Sequence, residues 1–61
     1  MAIPWQEAFA WLRDRYLHRE IAAKVHVSLQ SVWRWEAGRR TPSLPHQRAL
    51  VAWAQKEGWQ K

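Results

Sequence analysis

Sixty-one residues make one small domain at most, and a chain that short buries only about 60% of its unfolded surface, so two domains or a large α/β enzyme fold are excluded. The absence of cysteine excludes disulfides and thiolate metal sites, and no run approaches the roughly 18 apolar residues of a transmembrane helix. Ten Lys and Arg against five Asp and Glu leave +5, with a pI near 10.9, a balance that points to an anionic partner: nucleic acid, a membrane surface or an acidic protein.

The N-terminal Met1-Ala2-Ile3-Pro4-Trp5 has neither a basic n-region nor an apolar h-region, so no signal peptide is expected and cytoplasmic residence is the default. Pro4 suits a first helical turn, where its missing N–H costs nothing. From there Trp5, Ala8, Phe9, Leu12 and Tyr16 recur at steps of three and four, which predicts an amphipathic helix to about Tyr16, with Trp11 off the stripe. A second short helix is predicted over Arg19 to Val25, with Ile21, Ala22 and Val25 inward. After a break at His26-Val27, Ser28 is a good N-cap for a third helix over Leu29 to Ala37, with Val32 and Trp35 inward and Gly38 as the residue just past its end. Arg39-Arg40-Thr41-Pro42-Ser43 reads as a loop. Ser43 is a candidate cap for a fourth helix from about Leu44 to Glu57, with Pro45 in its first turn and His46, Leu50, Trp53 and Ala54 inward. Gly58 ends it, and Trp59 is expected to fold back on Ala54. Nothing alternates with period two. The expected fold is an all-α single domain of four helices over residues 1–61, and some of its six tryptophans are expected to supply core mass.

The charge is concentrated in the middle. Residues 13–40 hold seven basic residues and three acids, for +4, while residues 1–12 carry −1 and residues 41–61 carry +2. That middle segment contains two short helices separated by a tight break, the second with polar residues on its outer face. This is a helix-turn-helix arrangement, in which the first helix braces and the second enters the DNA major groove.

The run Arg19-Glu20-Ile21-Ala22-Ala23-Lys24-Val25-His26-Val27-Ser28, followed by Val32, Trp35-Glu36, Gly38 and Arg39-Arg40-Thr41-Pro42-Ser43, resembles the Cro/C1-type (XRE-like) helix-turn-helix repressors of phages and bacteria. The specific part is the end, Trp35-Glu36-Ala37-Gly38-Arg39-Arg40-Thr41-Pro42-Ser43. The likeness covers residues 16–43. It implies a lambda-repressor-like domain that binds double-stranded DNA. The family's turn glycine is His26 here, at a position that usually wants φ > 0. Its glutamine at the start of the second helix, a phosphate contact, is His18 here.

Taking Val32 and Trp35 as buried, steps of about 100° put Gln30, Trp33, Arg34 and Ala37 outward, with Leu29 at the margin. In the family, the positions matching Leu29, Gln30 and Arg34 approach bases. Arg34 suits guanine O6 and N7, Gln30 suits adenine N6 and N7, and Leu29 suits a thymine methyl. Trp33 is a possible groove contact, although packing at the helix margin, over Tyr16 or another core residue, is the preferred expectation. Ser31, Arg39, Arg40 and Thr41 are candidate phosphate contacts, as are His18 and the helix N-terminus at Ser28. Glu36, an acid in a basic region, is expected to act structurally by pairing with Arg13 or Arg15 or by holding the Arg39-Arg40 loop.

The three histidines lack metal spacing and a cysteine partner, so zinc is not expected. With no glycine-rich phosphate loop and no serine in a nucleophile setting, neither an enzyme nor a cofactor is expected. The leading expectation is a Cro-like transcriptional regulator, a repressor, binding a palindromic operator as a homodimer. Trp11, Val51 and Trp59 are the apolar residues left over for an interface. Two other classes remain: an antitoxin-like protein-interaction module that keeps the helix-turn-helix shape, and a membrane-active cationic peptide. The expected caps and the acids within the basic segment speak against the peptide.

Overall fold

The computed structural model describes residues 2–60. It contains four helices, α1 (Trp5–Arg13), α2 (His18–Val25), α3 (Leu29–Glu36) and α4 (Leu44–Glu57), and no strand among the described residues. The protein is a small all-α domain, about 27 × 25 × 18 Å. α1 packs chiefly on α4 and α2 chiefly on α3, while α2 also touches α1 and α4.

α1 ends at Arg13, three residues before the apolar stripe does. Asp14 is its C-cap, and the N–H groups of Arg15 and Tyr16 both donate to the Leu12 carbonyl, at 3.0 and 2.8 Å. Tyr16 still reaches the core from this turn, its ring 4.9 Å from that of Trp53. Its hydroxyl donates to Glu57 Oε1 at 2.5 Å, so the end of α1 is tied to the end of α4. α2 starts one residue earlier than the spacing predicts, because the Glu20 carboxylate reaches back to accept the Leu17 N–H at 2.7 Å. That is the return half of a capping box, and it satisfies a donor that the helix cannot.

The break between α2 and α3 is made by His26, at φ 60° and ψ 48°. His26 N–H donates to the Ala23 carbonyl and Val27 N–H to that of Ala22, which is the Schellman pattern. A residue with a Cβ held in this left-handed region costs about 1–2 kcal/mol. The turn also carries Val27 back onto the core. Ser28 then caps α3, its Oγ accepting the Ser31 N–H at 3.1 Å. α3 ends at Glu36, one residue early. Gly38, at φ 74°, closes the same pattern with Gly38 N–H on Trp35 and Arg39 N–H on Arg34. α4 has the expected bounds, and Trp59 folds back as expected, its N–H on the Ala54 carbonyl at 2.9 Å. Ser43 does not cap α4 through its side chain. Its hydroxyl is taken by His46 Nδ1 at 2.9 Å.

Most of the inward positions read from the spacing form one core, but His46, expected inward on α4, lies outside it, half-buried with its ring 6.2 Å from that of Trp35, and Trp53 is only half-buried. Ala8, Phe9 and Leu12 of α1 meet Ile21, Ala22 and Val25 of α2, Val32 and Trp35 of α3, and Leu50 and Ala54 of α4. Trp35 stands edge-on to Phe9, with centroids 6.1 Å apart at 81°. Trp5, Trp11, Trp53 and Trp59 pack half-buried around that centre. Five of the six tryptophans therefore supply core mass, and only Trp33 does not. No buried side-chain polar atom among the described residues lacks a partner.

Candidate functional site

α3 has two unlike sides. Val32 and Trp35, 0% and 5% exposed, fasten it to the core. On the other side Leu29, Gln30, Trp33, Arg34 and Ala37 are all exposed, as the 100° steps require. The guanidinium of Arg34 and the amide of Gln30 have no hydrogen-bond or ion-pair partner among the described residues, and the two lie one turn apart on α3. Past Gly38, Arg39, Arg40 and Thr41 are exposed along the loop, and Arg40 and Thr41 line an open depression with Ser31 of α3.

Ser28 and Ser31 are already engaged with each other. Besides the capping bond, their hydroxyls lie 3.0 Å apart, and Ser31 is half-buried. An anion at this helix start would therefore meet mainly the Leu29 and Gln30 N–H groups, since that of Ser31 is bonded to Ser28.

Sequence reasoning assigned His18 to phosphate. Its Nε2 is instead committed to Glu36 Oε1, and its ring lies flat on Trp33, with centroids 4.0 Å apart at 6°. Only Nδ1 is left for another partner. Trp33 packs at the helix margin, as expected, but over His18 rather than Tyr16. Glu36 takes the structural role expected of it and chooses Arg13 over Arg15. Arg13 Nη1 lies 3.3 Å from Glu36 Oε1. Arg15 lies over the Trp11 ring and donates to the Trp11 carbonyl. The hydrogen bond from His18, helped by Arg13 and opposed by partial burial, holds the Glu36 carboxyl below its ordinary value. The acid of α3 is thus neutralised on the side away from Gln30 and Arg34.

The His18–Trp33 stack forms the wall of an open depression of about 340 Å³ lined also by Leu17, Arg19 and Leu29. Leu17, Leu29 and Trp33 are 55%, 43% and 50% exposed, which gathers here three of the four exposed large apolar side chains among the described residues. This apolar strip beside the basic one was not read from the sequence as a unit. The left-over apolar residues Trp11, Val51 and Trp59 are half-buried against the core. Among the described residues no group of His, Asp or Glu could hold a metal ion, and no helix is long and apolar enough to cross a membrane.

These features define a small all-α domain in which the outer face of α3 is exposed, with uncommitted Gln30 and Arg34 along one edge and an apolar strip along the other. No protein-family model, no curated protein and no solved structure matches the chain.

Proposed function

We propose that the chain is a sequence-specific binder of double-stranded DNA, a small transcriptional regulator similar to the Cro/C1-type helix-turn-helix repressors. One observation carries this reading. α3 is anchored from behind by Val32 and Trp35, while Gln30 and Arg34 stand free on its outer side, and the exposed Arg39 and Arg40 follow the helix, the Arg39 N–H bonded to the Arg34 carbonyl. The major groove is wide enough to admit such a helix, and its base edges offer what these side chains seek: guanine O6 and N7 for Arg34, adenine N6 and N7 for Gln30. Arg39, Arg40 and Thr41 then meet phosphates, which set register and orientation. The reading requires no catalysis and no cofactor. One helix reads few base pairs, so two copies on a palindromic operator, with half-sites about 34 Å apart, complete the proposal.

The half-exposed Trp33 favours a second reading, a protein-interaction module of the same shape. Selection of bound sites from random duplexes decides between the two. A consensus with two-fold symmetry is expected. On the selected duplex, Arg34→Ala relaxes preference at one base pair per half-site, by about 1–3 kcal/mol. Arg40→Ala weakens binding to all sequences and flattens the salt dependence by about one unit of slope. No enrichment in low-salt buffer would overturn the DNA reading, and an unchanged preference in Arg34→Ala would overturn the assigned register of α3.

A further inference from the structure

We infer that the strip formed by Leu17, Leu29 and Trp33 is a seat for the 5-methyl group of a pyrimidine, thymine or 5-methylcytosine, in the major groove. The inference rests on the DNA-binding reading above and deepens it, because it joins Leu17 and the fixed Trp33 to the thymine contact expected of Leu29 and extends that contact to 5-methylcytosine.

Trp33 is not a loose surface ring. It is stacked flat on His18, His18 is held by Glu36, and Glu36 is held in turn by Arg13. A fixed indole loses little freedom when something is laid against it. Leu29 lies one turn before Trp33 on the same side of α3, and both line the depression with Leu17. Gln30 and Arg34 sit on the adjoining stripe with the same one-turn spacing. The helix thus presents parallel polar and apolar stripes. The major-groove edge of a base pair is divided in the same way: the purine shows N7 and an exocyclic polar group, and thymine shows its methyl. Leu17 and Leu29 cannot hydrogen-bond to O4 or N4, and the only donor of the three side chains is the Trp33 indole N–H, so a seat that reads the methyl group itself takes 5-methylcytosine as it takes thymine.

The surrounding charge selects DNA over an apolar protein surface. Arg19 borders the depression and Arg34 follows Trp33. The two nearby acids are both occupied, Glu20 with the Leu17 N–H and Glu36 with His18 and Arg13. Glu20 keeps its negative charge while it accepts that N–H, so the rim is positive only in net, with Arg19 and Arg34 outnumbering Glu20 and Arg13 offsetting Glu36. A second copy of the chain brought face to face here would oppose arginine to arginine, which costs affinity. Three side chains also fall well short of the roughly 800 Å² per partner of a stable protein interface.

The test uses the wild-type chain and the duplex recovered by selection from random sequences, with thymines replaced one at a time by deoxyuridine. Removing a seated methyl weakens binding about fourfold, the factor that burial of one methyl-sized group corresponds to. Restoring the group as 5-methylcytosine, against cytosine at the same position, strengthens binding by a similar factor. In Leu29→Ala the thymine-to-uracil ratio falls toward one at that position. If the selected duplex binds and no uracil substitution changes affinity, the seat does not read methyl groups, and the inference is overturned while the DNA reading stands. If no duplex is retained even in low-salt buffer, the DNA reading itself falls and the strip belongs to a protein partner.

Discussion

Glu36→Ala is the perturbation that most directly tests how α3 is held. The side chain makes two charge-assisted contacts, with Arg13 on α1 and His18 on α2, so it fastens α3 to both neighbours. The side chains of Glu36 and Arg13 are about a third exposed, 32% and 35%, which places the pairs between open surface and interior. Exposed pairs contribute about 0.2–1 kcal/mol each, so together these contacts are worth about 1–2 kcal/mol, allowing for the hydrogen bonding and partial burial. In a domain this small, 1 kcal/mol corresponds to about 4–8 °C. Glu36→Ala should therefore lower the melting temperature by about 5–15 °C, read by circular dichroism near neutral pH. Arg13→Ala should lower it less, because the His18 contact survives. The effect has a definite pH dependence. The Glu36 carboxyl is held below its ordinary value in the fold, so its contribution is complete above the unfolded value of about 4.3 and is lost as pH falls through the lower folded value. The wild type and Glu36→Ala should converge across that acid window. The ranking of bases preferred on DNA should be kept. An unchanged melting temperature with an altered base preference would refute the reasoning, since it would put the carboxylate on the binding side.

Three further outcomes are expected. His26→Gly should raise the melting temperature by a few degrees, because relief of about 1–2 kcal/mol of left-handed strain outweighs the ~0.5–1 kcal/mol of extra chain entropy that glycine brings. A fall instead would mean that the His26 side chain contributes to the turn. Tyr16 is the only tyrosine, and its hydrogen bond to Glu57 raises its pKa. Its ultraviolet titration should therefore begin later than that of free tyrosine. The stability it lends should hold below the unfolded value of about 10 and be lost as pH rises through the higher folded value; an ordinary titration curve would show that the bond is not kept in solution. Ser28→Ala, which removes the only side-chain cap of α3, should cost about 1 kcal/mol, and an unchanged unfolding midpoint would count against that cap.

Where periodicity and caps agree, the chain announces its own structure. α4 runs between Pro45 in its first turn and Gly58 just past its end, and its bounds were legible to the residue. So was the two-sidedness of α3, because Val32 and Trp35 are the apolar residues at helical spacing and everything a half-turn away is exposed. α1 was read too long for a physical reason. Tyr16 continues the apolar stripe, but it reaches Trp53 from a turn rather than from the helix, and an apolar pattern cannot tell those two routes apart. Ser43 was read as a cap from its residue type, whereas the nearby His46 competes for its hydroxyl.

The site was legible where it depends on one helix and illegible where it depends on two. Gln30, Arg34 and the Arg39–Arg40 loop follow from spacing along α3. The His18–Trp33 stack depends on how α2 crosses α3, which no spacing within either helix encodes, and it takes with it both the role of His18 and the shape of the apolar strip. The partner of Glu36 was half legible: an acid on the inner edge of α3 needs a cation, and α1 offers two. Arg15 is diverted to Trp11 at short range, and Arg13 is left facing the carboxylate.

The proposed function rests on the exposed side of α3 being the surface that meets a duplex. An amide chemical-shift titration of the labelled chain with short double-stranded DNA in low-salt buffer measures this residue by residue. Shifts should gather at Leu29, Gln30, Trp33, Arg34 and the loop over Arg39, Arg40 and Thr41, and should reverse as salt is added. Silence at these positions, or shifts centred on Trp11, Val51 and Trp59, would contradict it.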